Sequence, residues 1–92
     1  MSKKPSPVAV AKVMSKLRYR RPTPSEHREF CAIESPYTIA RTSRYVFLKN
    51  AAGMVSGDTR PYVFARVVDV AANVVWSYGF WRTPKGLVPC DD

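Results

Sequence analysis

Residues 62–81 read YVFARVVDVAANVVWSYGFW, and this stretch decides the fold. Two runs rich in β-branched and aromatic residues, Tyr62 to Val70 and Val74 to Trp81, flank the short break at Ala71, Ala72 and Asn73. Such residues suit a pleated, half-buried surface, and a break this short suits a hairpin. Side chains on a strand alternate between faces. Val63, Ala65 and Val67 therefore share one face of the first run, against Tyr62, Phe64, Arg66 and Val68. On the second run Trp76, Tyr78 and Phe80 oppose Val75, Ser77, Gly79 and Trp81.

Upstream, Tyr37 to Arg41 and Arg44 to Lys49 have the same strand composition. Asn50 to Arg60 carries Gly53, Gly57 and Asp58 and reads as a loop. Downstream, Thr83 to Asp92 holds Pro84, Gly86 and Pro89 and reads as an irregular tail, residues 83–92.

The start of the chain has a different period. Met1 to Pro5 reads as a mobile basic tail, residues 1–5. Ser6 followed by Pro7 is a helix start, because Ser can cap and Pro is tolerated at the first helical position. Val10, Val13, Met14 and Leu17 then form one apolar stripe, with Lys12 and Lys16 on another face. Pro22 disfavours helical geometry before it, so the helix should fade near Tyr19 to Arg21. Thr23 and Glu26 have the spacing of a capping box. Two readings compete over the residues that follow: a short helix from Pro24 to about Ala32, and a strand over Arg28 to Ile33. Together these features predict a single α+β domain, residues 1–92. Its N-terminal helix, with or without a second short helix, packs on one face of an antiparallel β-meander.

Charge is distributed unevenly along the chain. The first 21 residues hold Lys3, Lys4, Lys12, Lys16, Arg18, Arg20 and Arg21 without an acidic residue, seven of a formal net charge of +8. The other 71 residues carry eight basic residues against seven acidic. Such a run raises the local concentration of a polyanion and speeds encounter with it. Lys12, Lys16, Arg18, Arg20 and Arg21, with Tyr19 among them, are the candidate nucleic-acid contacts. Arginine supplies a planar fork for phosphate oxygens, and an aromatic can stack on an unpaired base. Arg41, Arg44 and Arg66, on strands or their edges, are expected to extend the patch. Most aromatics of the strand pair read as core facing the helix. Trp81, opposite Trp76, is the one expected to be exposed as a protein-contact anchor.

Other classes find little support. The two cysteines, Cys31 and Cys90, are too few for a disulfide scaffold, and with His27 the one histidine they offer no zinc set. Cys31 reads as a small buried hydrophobe, and Cys90 as an exposed thiol without a role. His27 lies among Glu26, Arg28 and Glu29, where a general base can be imagined, but a lone histidine in a charged segment is more often solvated. The sequence carries no P-loop, GxSxG or HExxH. No apolar run reaches 18 residues, and the N-terminal segment, though basic and acid-free like a transit peptide, reads as part of the fold. The expectation is a cytoplasmic, non-enzymatic binder with no cofactor, metal, small-molecule substrate or membrane partner.

Taken whole, the compact length, the basic start MSKKP (residues 1–5), the cluster KLRYRR (residues 16–21) and the strand-rich stretch from Arg44 to Arg82 resemble small phage-encoded anti-CRISPR proteins, specifically inhibitors of type I-F surveillance complexes. Those inhibitors share no common motif, so no residue role transfers. The resemblance implies stoichiometric binding to a CRISPR ribonucleoprotein in the host cytoplasm, without turnover. Several such inhibitors are acidic DNA mimics, and this basic chain cannot be one. Its positive surface would instead meet guide RNA and backbone subunits and block pairing with target DNA. The rival reading is a free-standing RNA- or DNA-binding module, a phage regulator or ribosome-associated protein.

Overall fold

The computed structural model describes residues 3–30, 37–50, 54–55 and 61–90, the pair 54–55 as backbone. Helix α1 spans Pro7–Met14 and α2 spans Pro24–Glu29. The strands are β1 (Tyr37–Arg41), β2 (Tyr45–Asn50), β3 (Met54–Val55), β4 (Pro61–Asp69), β5 (Val74–Thr83) and β6 (Gly86–Pro89). Among the described residues they form one antiparallel sheet in the order β1-β2-β4-β5-β6, with β3 on β4. This is the α+β meander expected.

The central pair keeps the anticipated register, Val63 opposite Phe80, Ala65 opposite Tyr78 and Val67 opposite Trp76. These six share the near face, where Val10, Ala11 and Met14 of α1 cover them together with Phe47. Asp69, wholly buried, closes the β4–β5 turn. Its carboxylate accepts from Ala72 N–H at 3.2 Å and from Arg44 at 2.9 and 3.2 Å. Asn73 completes the turn in the left-handed region at φ 55°, which Asn tolerates better than most residues.

α1 begins where expected, with the Ser6 hydroxyl accepting from Ala9 N–H, but it ends at Met14, ahead of the expected Tyr19 to Arg21. The last turn tightens there, with Lys16 N–H and Leu17 N–H reaching back three residues to Val13 O and Met14 O, and side chains add to the final carbonyls. The Ser15 hydroxyl donates to Ala11 O at 2.7 Å, and the Tyr19 hydroxyl donates to Met14 O at 2.9 Å. The buried stripe is accordingly Val10, Ala11 and Met14, while Val13 is 43% exposed and Leu17 lies half-buried beyond the helix.

α2 settles the competition in favour of helix over residues 24–29. Residues 31–32 of the helix reading and 31–33 of the strand reading lie outside the described residues. The capping box is complete: Thr23 Oγ1 accepts from Glu26 N–H, and Glu26 Oε1 accepts from Thr23 N–H. The second helix does not join α1. Its end residue Phe30 packs with Tyr37, Ile39, Val46 and Leu48 on the far face of the sheet. The connecting segment crosses the outer edge of β1, where Arg20 and Ile39 exchange both backbone hydrogen bonds at 3.0 and 2.8 Å.

Three further expectations change. The stretch from Asn50 to Arg60 is not wholly loop, because Met54–Val55 pairs with Tyr62 and Pro61; residues 51–53 and 56–60 lie outside the described residues. Asn50 itself is the buried end of β2. Its side-chain amide donates to Tyr62 O and accepts from Phe64 N–H, standing in for ladder bonds to β4 in the gap between its pairings with β2 and β3. The expected irregular tail contains β6, with Leu87 opposite Arg82 and Val88 opposite Trp81. Gly86 at φ +118° makes the return possible, a backbone angle that side-chain-bearing residues rarely adopt. At the other end, Pro5 of the expected mobile tail is fastened: its carbonyl accepts from the Tyr78 hydroxyl at 2.8 Å.

Candidate nucleic-acid interface

The cations expected to act together divide into two groups. Arg20, Arg41 and Arg44 are held by carboxylates. Glu26 takes Arg20 in a two-pronged pair at 2.7 and 2.8 Å and Arg41 at 3.0 Å; Arg44 forks onto Asp69. Glu26 is buried by α2 and β1, and the Arg20 hydrogen bonds, then Thr23 N–H, then Arg41, hold its carboxyl far below the usual carboxylate range. These three arginines, each about half exposed, act as clasps of the fold. Arg66 belongs to neither group. It points from β4 to the far face, with its guanidinium 5.6 Å from the Phe64 ring, and does not extend a patch on α1.

Tyr19 is likewise occupied. Its hydroxyl caps Met14, its ring carries the Lys49 ammonium at 4.6 Å, and burial pushes its phenol well above the ordinary range. The Lys49 ammonium thus covers one face of the half-buried ring. Trp81 is half-buried rather than exposed, set edge-on to Tyr62 at 5.8 Å on the far face with Phe64. Tyr62 and Phe64 thus stand apart from the helix-facing aromatics. The remaining expected cations, Lys12, Lys16, Arg18 and Arg21, are exposed.

The structure adds Lys85, which sequence reading missed. A cleft of about 450 Å³ runs between α1 and β6. Lys12, Lys16 and Lys85 line it, with an apolar floor that includes Ala11 and Leu87. Ser15 fixes the two walls: its hydroxyl accepts from Leu87 N–H at 3.0 Å. Among the described residues no acidic side chain lines this cleft. The signal for Lys85 was the run Thr83, Pro84, Lys85, Gly86, a turn sequence with Pro and Gly in favoured places. Reading it as a hairpin would have returned Lys85 to the helix. Beyond the end of α1, Lys49 and Arg82 add charge on the same face. Burial lowers the Lys49 ammonium from its ordinary value, and Arg82 nearby adds to that.

His27 stacks on Tyr37 at 6.0 Å between ring centres, its Nδ1 3.3 Å from the Tyr37 hydroxyl. Cys90 is half-buried, and Cys31 lies outside the described residues. No described group of three or more His, Cys, Asp or Glu residues could hold a metal ion. No described helix is long and apolar enough to cross a membrane. Three comparisons bear on family: no protein-family model, no curated protein and no solved structure matches the chain.

Proposed function

We propose that this protein is a non-enzymatic binder of a ribonucleoprotein, gripping RNA phosphates through the cleft between α1 and β6. One observation carries the reading. Lys85, some seventy residues from the N-terminal cluster, returns beside Lys12 and Lys16, and no described acid lies among them. Converging ammonium groups attract phosphate, whereas a merely solvated face needs no such convergence. The likeness to anti-CRISPR inhibitors makes a type I-F surveillance complex the first partner to try. There the protein would occupy guide RNA and adjoining protein and keep target DNA from pairing.

A second reading is a free-standing nucleic-acid module. It is favoured by the chemistry of the cleft, since lysines are point charges that hold phosphates without reading bases.

Binding to labelled single-stranded RNA and to the assembled complex, followed by anisotropy across salt, separates the two. The ribonucleoprotein reading expects tight stoichiometric binding to the complex and weak binding to naked RNA. The module expects naked RNA to bind well. In either case changing Lys12, Lys16 and Lys85 together to Ala should lower the slope of log K against log salt by about 2, the share of three phosphate contacts on a single strand. A folded triple variant with unchanged affinity and slope would overturn both.

A further inference from the structure

On the far face, away from the lysine cleft, a cavity of about 320 Å³ opens between α2 and the sheet. Its polar lining is Arg28 and Glu29 of α2, Arg66 of β4, and Asn73 of the turn. Its apolar walls include Phe30, Leu48 and Val68, all part of or packed on the far-face core. The size falls at the lower end of small-ligand sites, and apolar walls with a few placed polar groups are their usual make-up.

Arg66 marks what such a ligand would carry. Its Nε is buried and has no hydrogen-bond partner, while Phe64 holds the guanidinium from one side. A buried donor left unmet is costly, and a carboxylate is its strongest natural acceptor because the bond is charge-assisted. Arg28 supplies a second guanidinium against the single carboxylate of Glu29, so the lining stays net positive. Asn73 adds an amide for orientation. We infer that this cavity is a site for a small organic carboxylate with a short apolar body, its head on Arg66 and its body against Phe30, Leu48 and Val68. The inference does not rest on the proposed RNA contact, which uses the opposite face.

The test is a titration of the intact protein followed by amide and arginine Nε–H resonances, with sodium hexanoate, the neutral isostere hexanamide and inorganic phosphate as probes. Hexanoate should shift the Arg66 Nε–H and the Val68 and Val75 amides saturably. Hexanamide should bind at least about tenfold more weakly, as loss of a charge-assisted bond requires. Phosphate, with the charge but no apolar body, should also fall behind. Arg66→Gln should abolish the saturable response while leaving RNA binding unchanged. If Arg66→Gln does not fold, Arg28→Gln and the wild-type Arg66 Nε–H signal decide the matter. Equal shifts with hexanoate and hexanamide, equal binding of phosphate, or a hexanoate response that leaves Arg66 Nε–H unmoved would overturn the inference.

Discussion

Glu26 performs several tasks with one carboxylate: it completes the cap of α2, clasps Arg20 of the crossing segment and holds Arg41 of β1. Thr23→Ala removes only the cap and should cost about 1 kcal/mol in urea unfolding. Glu26→Gln should cost more, since it also leaves two guanidinium groups without their counter-charge. Because the folded-state pKa of Glu26 is depressed, its contribution is complete above the unfolded value of about 4.3 and is lost as pH falls through the folded value. Stability of the wild type should therefore drop from pH 5 downward more steeply than that of Glu26→Gln, which unfolding curves at successive pH values would show. A parallel curve for the two proteins would assign the acid limb to other groups. Gly86 offers a separate check. A Cβ there would lie 2.9 Å from Ser15 Oγ on a backbone already at positive φ, so Gly86→Ala should destabilise by about 1–3 kcal/mol.

At the scale of elements, the early end of α1 reorders its stripe. Met14 is 1% exposed, and Met14→Ala should cost about 2–5 kcal/mol. Leu17→Ala, at a half-buried site past the helix, should cost clearly less, and Val13→Ala should fall within about 0.5 kcal/mol of the parent. Thermal or urea melts of the three variants give the ranking. If Val13→Ala rivals Met14→Ala, the longer helix of the sequence reading is the right one. The contrast shows what local signals carry. Residues 62–81 stated their own register, because alternation and a short turn lie within one stretch of chain. Thr23 and Glu26 likewise announced α2 through neighbours. The end of α1 was not legible, since it depends on Tyr19 folding back onto Met14 while Lys49, from a distant strand, lies over the ring. The ion pairs of Arg20, Arg41 and Arg44, three of the nine expected contacts, were not legible for the same reason. The acids that claim Arg20, Arg41 and Arg44 become neighbours only through helix packing and strand pairing.

For the whole molecule, both outer strands have their edges engaged. Arg20 bridges β1 at Ile39, and on β6 the Leu87 N–H goes to Ser15 while Pro89 has none to offer. Unpaired edges template association, and these devices blunt it. Ser15→Ala combined with Pro89→Val should restore two outward donors and produce self-association at concentrations where the parent shows none, measured by light scattering. An unchanged particle size would mean that the edge is guarded by other means. The bond from Leu87 to Ser15 spans 72 positions of chain, and the one from Tyr78 to Pro5 spans 73. On a ribosome, α1 emerges long before the strand that seats it. Eight residues are too few to hold a helix alone in water, so the segment must wait as loose chain. Closing so long a loop is entropically slow, and the step should come late in folding. Throughout that wait the unseated segment is also the most cationic stretch of the sequence, and the nearest polyanion is the ribosomal RNA beside the exit tunnel.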